Sequence, residues 1–532
     1  MPLPENVERA ELAGQAVALI VRSIALQHDG KAEAALACLN QALDLVPDFP
    51  PSLVKRGTML LSLGLPRAAL ADFDRCLELA AGMAHVVPLR DAAVHALLDE
   101  LSTDSATAAQ HREQAELLTR LGRHDEALAQ FRQALDLDAE YHVAWNGMGN
   151  LLLRLNRHAE ALACYESILT FSPDDAIALF NRGNVLQQEG AYHEALASYA
   201  RALIARPDLA EIRMEQAHCH LALGNWDMGL NLFETRWSTA QLSDAMLPAS
   251  APLWRGERAA DATLLLWAEQ GLGDTLQFLR HVPWVASMVD RVVLRVPASL
   301  CSLLQCMATE RLTILSQGQP LPPHDLHCPL MSLPLATKAA PHSMEQTAAY
   351  LSVPVEQQNA MQDLLGQKTK ARIGLVWAGG QRHLNNPTRD MPLPALLPLL
   401  AFDAEWFSLQ KPHAENDRQI LAHHSQVRCM DAYLDDFAAT AALLAGMDLL
   451  ISVDTAVAHL AGALGVPTWL LLRKSGEWRW QCRSSTSPWY LRHRLFRQAR
   501  HGDWQAPIAA ALAALPAQFH LAEIANRHKL SR

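Results

Sequence analysis

The sequence predicts a multidomain chain: an all-α solenoid of helical repeats, followed by an α/β part made of two parallel-sheet lobes. Three observations predict it. A pattern of Ala-Leu, an aromatic or Leu four residues on, a small residue and often Pro recurs through the first half, mostly at a 34-residue step. Beyond Trp254 the periodicity changes to short apolar runs separated by helix-length amphipathic segments, as parallel strands and their crossover helices require. The 532 residues, 50% hydrophobic and 19% charged with mean hydropathy near zero, can bury several cores, and at ~150 residues per domain they suffice for roughly two to four domains.

The repeats centre on Ala35, Ala69, Ala127, Ala161, Ala195 and Gly229. One step, from Ala69 to Ala127, is 58 residues long and implies an irregular helical insertion between Met83 and Gln110. The most complete copies run Trp145, Gly149, Ala161, Tyr165, Pro173 and then Gly183, Ala195, Tyr199, Ala202, Pro207. Small residues let two antiparallel helices approach, the aromatic fills the space toward the next pair, and Pro closes the repeat where a helix cannot continue. On these residues, from about Ala16 to Trp237, the chain resembles the tetratricopeptide repeat (TPR). In TPR arrays the first helix of each repeat lines a concave groove, which implies groove positions for Asn150 and Asn184. An amide both donates and accepts, so such a pair can hold a peptide backbone whatever its sequence. A similar asparagine ladder serves the TPR portion of O-linked GlcNAc transferases. The alternative is that both amides are simply solvated.

In the second half the runs Thr263 to Trp267, Arg291 to Val296, Leu312 to Leu315, Arg372 to Trp377, Trp406 to Leu409, Leu449 to Val453 and Thr468 to Leu472 are expected strands. The Pro-rich stretch Gln319 to Pro334 and the polar stretch Gln357 to Lys370 divide them. The expected domains are 1–240 (repeats), 250–366 and 370–532 (two Rossmann-like lobes), with a closing helix at 518–528 that folds back.

Four loops carry candidate chemistry. Glu269-Gln270-Gly271-Leu272-Gly273-Asp274-Thr275 lies between an apolar strand and a helix with apolar Leu276, Leu279, Val282 and Val285. Gly271 and Gly273 let backbone approach a ligand at a helix N-terminus, which favours negative charge. A dinucleotide fingerprint would need a third glycine at Leu276, which argues against an NAD enzyme. Asp274 is placed to take a proton from an acceptor hydroxyl or, in the commoner use of an Asp at such a position, to cap the helix.

The second loop is Asp454-Thr455-Ala456-Val457-Ala458-His459, where Val457, Leu460, Ala461 and Leu464 make one apolar stripe and Gly465 a stop. Asp454 would cap the helix, and its first-turn N–H groups suit a diphosphate. Thr455 and His459 fall off the stripe, which favours ligand contact for His459 over a core histidine. In the third, Ala378 to Asp390, Gly379 and Gly380 open the backbone while Arg382 and Arg389 offer guanidinium groups that match phosphate oxygens, unless the loop is merely solvated. In the fourth, Glu477-Trp478-Arg479-Trp480, the indoles would stack on a base or sugar or else pack.

Composition excludes several classes. Lys+Arg 45 against Asp+Glu 56 gives a formal charge of −11 without a basic block, which disfavours nucleic acid as a partner. The acidic N-terminus lacks signal-peptide features, and the apolar stretch from Phe437 to Ile451 is interrupted by Asp448 and shorter than the ~20 residues of a span, so no integral membrane segment is expected. Nine cysteines without a CxxC pair fit a reducing, cytoplasmic setting. His218-Cys219-His220 and His324 with His327-Cys328 lack zinc spacing, so no metal and no cofactor is expected. P-loop and GxSxG signatures are missing.

The glycine-Asp loop, the Gly-Gly-Arg loop and the DTAVAHLAGALG stretch, in this order, resemble the GT-B glycosyltransferases of the ADP-heptose:lipopolysaccharide heptosyltransferase family. The whole chain looks like bacterial proteins that place a TPR array before such a domain. The resemblance implies an acceptor-side lobe at 250–366 and a nucleotide-sugar-binding lobe at 370–532. It maps the family's base onto Asp274 and its donor motif onto Asp454, Thr455 and His459. Ala456 stands where that motif has glycine, and the family's phosphate-contacting lysine has no match in the Arg382–Arg389 loop, so the resemblance does not carry heptose over. The implied function is metal-independent transfer of a sugar from a nucleotide-diphosphate donor to an acceptor, a protein held by the TPR groove. The alternatives are an inactive TPR scaffold with a nucleotide-binding module, or a glycan or lipid-glycan transferase.

Overall fold

The computed structural model describes residues 5–80, 82–102, 106–239, 242, 247, 251–338, 349–380, 389–475 and 477–530, with side chains from 10 to 520. The chain divides into two compact units, Met1–Pro173 and Asp174–Arg532.

In the first unit, helices pair as Glu5–His28 with Ala32–Leu45, Pro50–Ser62 with Pro66–Leu79, Ala108–Arg120 with His124–Leu137, and His142–Arg154 with His158–Phe171. The expected insertion is a 3-10 turn, Ala84–Val86, and one further helix, Val87–Leu101, packed on Pro66–Leu79. Within most repeats the turn needs a left-handed residue. Gly64, Gly122, Gly190 and Gly224 supply it with φ of 71° to 81°, and Asn156 does so at 58°, a conformation that only Gly and, less readily, Asn adopt cheaply. A Cβ on Gly149 would stand 2.8 Å from the Tyr165 ring, so the small residue is what lets the two helices meet. Against the expectation of no spanning segment, Ala10–His28 is long and apolar enough to cross a membrane by length and composition. In this structure its Ile20 and Leu26 pack on Ala35, Leu39 and Met59.

The second unit begins with the last repeats, Ala176–Gln188 with Tyr192–Ala205 and Ala210–Ala222 with Trp226–Phe233. They are continuous with the sheets' packing: Trp226 meets Trp489 edge-on at 5.5 Å, and Cys482 N–H donates to the Ala222 carbonyl (3.1 Å). The division at 173 therefore falls inside the repeat array.

Ten strands follow. β1 (Ala259–Trp267), β2 (Val289–Val296), β3 (Leu312–Ser316) and β4 (Leu326–Pro329) form a parallel sheet in the order β3-β2-β1-β4. The second parallel sheet comprises β5 (Arg372–Val376), β6 (Glu405–Ser408), β7 (Val427–Cys429), β8 (Leu449–Val453), β9 (Thr468–Leu472) and β10 (His493–Arg497), ordered β10-β9-β8-β5-β6-β7. β4, β7 and β10 were not anticipated: β4 ends in Pro inside a Pro-rich stretch, β7 has three residues, and β10 interleaves charges with its apolar positions. The closing helix runs Gln505–Leu530 with Pro516 inside it, much longer than expected. Its Ile508, Ala511 and Leu515 close the second sheet's core of Trp377, Trp406 and Trp469.

Strand order reverses between β1 and β4 and between β5 and β8. Beyond the carboxyl ends of strands at such a reversal lies the crevice that open parallel sheets use for ligands. The loops after β1, β5 and β8 are the three glycine and aspartate loops singled out above.

Candidate functional site

The loop after β1 enters the helix Leu272–Phe278 through Gly271. Asp274 does not cap this helix from its front. It sits at the third helical position and its Oδ2 accepts from Gly271 N–H (2.9 Å), while Oδ1 pairs with the Arg479 guanidinium. A Cβ on Gly273 would stand 2.9 Å from His459 Cδ2 and 3.6 Å from Ala456 Cα. The glycine is thus where this loop touches the helix Ala456–Ala463 after β8.

That helix is capped by Thr455, not Asp454: Thr455 Oγ1 accepts from Ala458 N–H (3.4 Å). Gly465, φ 72°, stops it as expected, with Val466 N–H returning to the Ala461 carbonyl (2.9 Å). The helix is more enclosed than one stripe implies, since Ala458 to Ala463 are all buried. His459 is among them, stacked on Trp480 at 5.1 Å between ring centres. Tyr490 Oη and His459 Nδ1 share a hydrogen bond (2.9 Å), and Nε2 lies 3.7 Å from Asp454 Oδ1. Burial, reinforced by Arg479, pushes His459 down to about 3, so the imidazole is neutral at physiological pH.

At the start of the loop after β5 the amides of Trp377, Ala378 and Gly379 already donate to protein. Gln410 Oε1 accepts from Trp377 and Ala378 N–H (3.2 and 3.0 Å), and Asp390 Oδ1 accepts from Gly379 N–H (2.8 Å). A carboxylate occupies an amide expected to meet phosphate. Burial pushes Asp390 up, against the Gly379 N–H and Arg389. A Cβ on Gly379 would collide with the Arg389 guanidinium, and nothing lies within 4 Å of one on Gly380. Arg389 is also among the charges that depress His459, so Gly379, Arg389, Gly273, Asp454, Thr455 and His459 belong to one neighbourhood. Arg382 lies outside the described residues.

The comparisons with known proteins follow this layout. The profile of glycosyltransferase family 9 (heptosyltransferase) matches residues 416–499, and the tetratricopeptide repeat profile matches 112–176, 146–210 and 180–229. The chain joins TPR repeats to a C-terminal glycosyltransferase family 9 domain. Protein FlbA of Caulobacter vibrioides is 26% identical over 337 residues, 58% of this chain and 55% of that protein. The chain therefore spans about half the length of this curated relative. Among solved structures, MamA is 18% identical over 34% of this chain and 92% of its own, with a TM-score of 0.19. YrrB, a TPR protein with an unusual peptide-binding site, is 18% identical over 38% of this chain and 91% of its own, with a TM-score of 0.23.

In the TPR repeats each expected ladder asparagine has a tyrosine partner. Tyr165 Oη donates to Asn150 Oδ1 (2.6 Å) in the first unit, and Tyr199 Oη to Asn184 Oδ1 (2.8 Å) in the second. An amide whose oxygen accepts in this way keeps its NH2 as a donor.

In the family 9 domain, Trp478 and Trp480 are buried and pack rather than stack on ligand. The residue missed between them is Arg479, which bonds Asp274, Glu477 and Gln277. Its signal was visible: an arginine flanked by an acid and two tryptophans, in a run read only for its rings. Glu269 was quoted without a role. Its side chain is 1% exposed, Arg236 Nη2 lies 3.3 Å from Oε1, and Met331 N–H donates to that same oxygen (3.1 Å). Burial, opposed by Arg236, pushes it up to about 7.

Proposed function

We propose that this protein is a GT-B glycosyltransferase that moves a sugar from a nucleotide-diphosphate donor to a hydroxyl on a protein or peptide held by its repeats. The observation that carries the reading is Gly273 packed on His459, which joins the loop bearing Asp274 to the helix that begins after Thr455. In this reading Asp274 takes the acceptor proton, the acceptor oxygen bonds to the anomeric carbon, and the bond to the diphosphate breaks with its electron pair on the leaving oxygen. The first-turn N–H groups of Ala456–Ala463 and the guanidinium groups of Arg389 and Arg382 stabilise that departing charge. Neutral His459 lines this site without adding a cation. No metal is needed for these roles. The amides of Asn150 and Asn184 suit a peptide backbone.

The test is incubation of purified protein with UDP-, GDP- and ADP-linked sugars and candidate protein acceptors in EDTA, read by intact mass. Transfer that survives EDTA and is lost in Asp274→Asn is the expected result; strict dependence on a divalent metal, or full activity in that variant, overturns the reading. A second reading has its own observation: Gly379 N–H is taken by Asp390 and Asp274 by Arg479, as in a module that binds nucleotide without turning it over. A rise in Tm with nucleoside diphosphates but no transfer would favour that scaffold.

A further inference from the structure

Asp274 and Arg479 are 205 residues apart in sequence and belong to different sheets, yet they form an ion pair at the head of the crevice. The arginine side chain is 8% exposed and each of its nitrogens is engaged: Nη2 by Asp274, Nη1 by Glu477, and Nε by Gln277 Oε1 (2.7 Å). A guanidinium bonded on three sides is a fixed fork, and it fixes the carboxylate it holds.

We propose that Glu477 and Arg479 are a positioning pair for Asp274: Arg479 orients the carboxylate, and Glu477 keeps that buried guanidinium compensated when Asp274 takes up the acceptor proton. The inference rests on the reading of Asp274 as base. The need for the glutamate follows from charge. A carboxylate that is neutralised beside a lone buried guanidinium leaves an unpaired cation, which is strongly destabilising. With Glu477 present, the trio goes from one net negative charge to none while Arg479 stays paired throughout. Consistent with a charge shared between two acids, Arg479 is held above its ordinary value: burial lowers it, and Glu477 and Asp274 more than reverse that. The loss of solvent around Glu477 pushes its carboxyl up, against Arg479. The other charged or titratable groups that face the trio are Glu269 from the end of β1, Asp454 and His459 around the helix after β8, and His218 from Ala210–Ala222. Glu477 thereby places the last repeats within electrostatic reach of the proposed base.

The experiment is a pH–rate profile of nucleoside diphosphate release from UDP-, GDP- and ADP-linked hexoses by wild type, Arg479→Met, Arg479→Lys, Glu477→Gln and Asp274→Asn, each checked for folding by its melting curve. Without the cation, Asp274 is harder to ionise, so Arg479→Met moves the acidic limb of kcat upward by about one pH unit or more and lowers kcat more than it changes donor KM. Glu477→Gln leaves Asp274 as the arginine's main counter-charge and moves the limb downward. Arg479→Lys returns the limb toward the wild-type position. If Arg479→Met does not fold, the direction of the Glu477→Gln shift decides alone. Unmoved limbs, or limbs moved in the same direction, in folded variants whose Asp274→Asn counterpart is inactive overturn this inference and spare the proposed function. Full release by Asp274→Asn, or none by wild type, overturns that function and this inference with it.

Discussion

The repeats before residue 173 and the repeats and sheets after it use charge differently. In the first unit Arg123 pairs with Glu126 and Arg157 with Glu160, each pair at the start of its own helix and open to solvent. In the second, Arg236 is fully enclosed, bonded to Glu234, Glu269 and Ser332, and Arg479 is held by two acids. Exposed pairs pay in side-chain entropy and salt screening what they gain in attraction, whereas an enclosed pair that loses one partner strands the other. Both units hold both kinds of pair, since Arg56 grips a buried Asp72 in the first and Arg206–Asp208 is exposed in the second, but among the described residues the buried arginines, Arg236, Arg372 and Arg479, belong to the second.

The sharpest way to break this contrast is Arg236→Met, which strands Glu269. Chemical denaturation should show a loss of about 3 kcal/mol or more, with part of it restored in the Arg236→Met/Glu269→Gln double variant. An unchanged midpoint would mean that the second unit's charges are as dispensable as the first's.

The pH dependence of melting sharpens it further. His281, His459 and His493 are pushed down by burial to about 3, so their neutral forms contribute stability that is present above 6.5 and lost as pH falls toward 3. Glu269, raised from 4.5 to about 7, has the opposite sign: its contribution is present below 4.5 and lost as pH rises through 7. Wild type should therefore lose Tm relative to Glu269→Gln as pH climbs through neutrality, and a constant difference would refute the assignment.

Next in size is Gly273→Ala. The new methyl meets a His459 ring held by Trp480 and Tyr490, so the cost should be ~1–3 kcal/mol in denaturant, accompanied by weaker nucleoside diphosphate binding. Unchanged stability would show that the loop after β1 is free to move off the helix.

Tyrosine hydroxyls allow a like-for-like test between the units. Tyr199 Oη bonds both Asn184 and Gln187, and Gln187 Nε2 donates to Glu215 (2.9 Å). Tyr165 Oη reaches Asn150, which is exposed and has water as a substitute. Tyr199→Phe should cost ~1–2 kcal/mol and Tyr165→Phe less; equal losses would erase the distinction. The smallest effect is expected from Arg157→Ala, a melting curve indistinguishable from wild type.

Much of this was legible in the amino acids. Helix pairing follows from Gly149, Tyr165 and their 34-residue echoes, because close approach has few chemical solutions. β8 and β9 match their apolar runs to the residue, since a strand covered on both faces is apolar throughout. β10 escaped because His493 and Arg494 interrupt its run, and the His493 ring finds its partners on other elements, Ala458, Trp480 and Tyr490. The site divided along the same line. Gly273 and His459 could be nominated one loop at a time, but that Asp274 faces Arg479 depends on folding 205 residues of intervening chain, which no local pattern records.

The division at residue 173 also bears on how such a protein can change over generations. Repeats are gained and lost as cassettes where each touches only its neighbours. The last two repeats, joined to the sheets through Trp226 and Arg236, have no such licence. Lineages descended from this architecture should keep the segment from these two repeats onward at constant length.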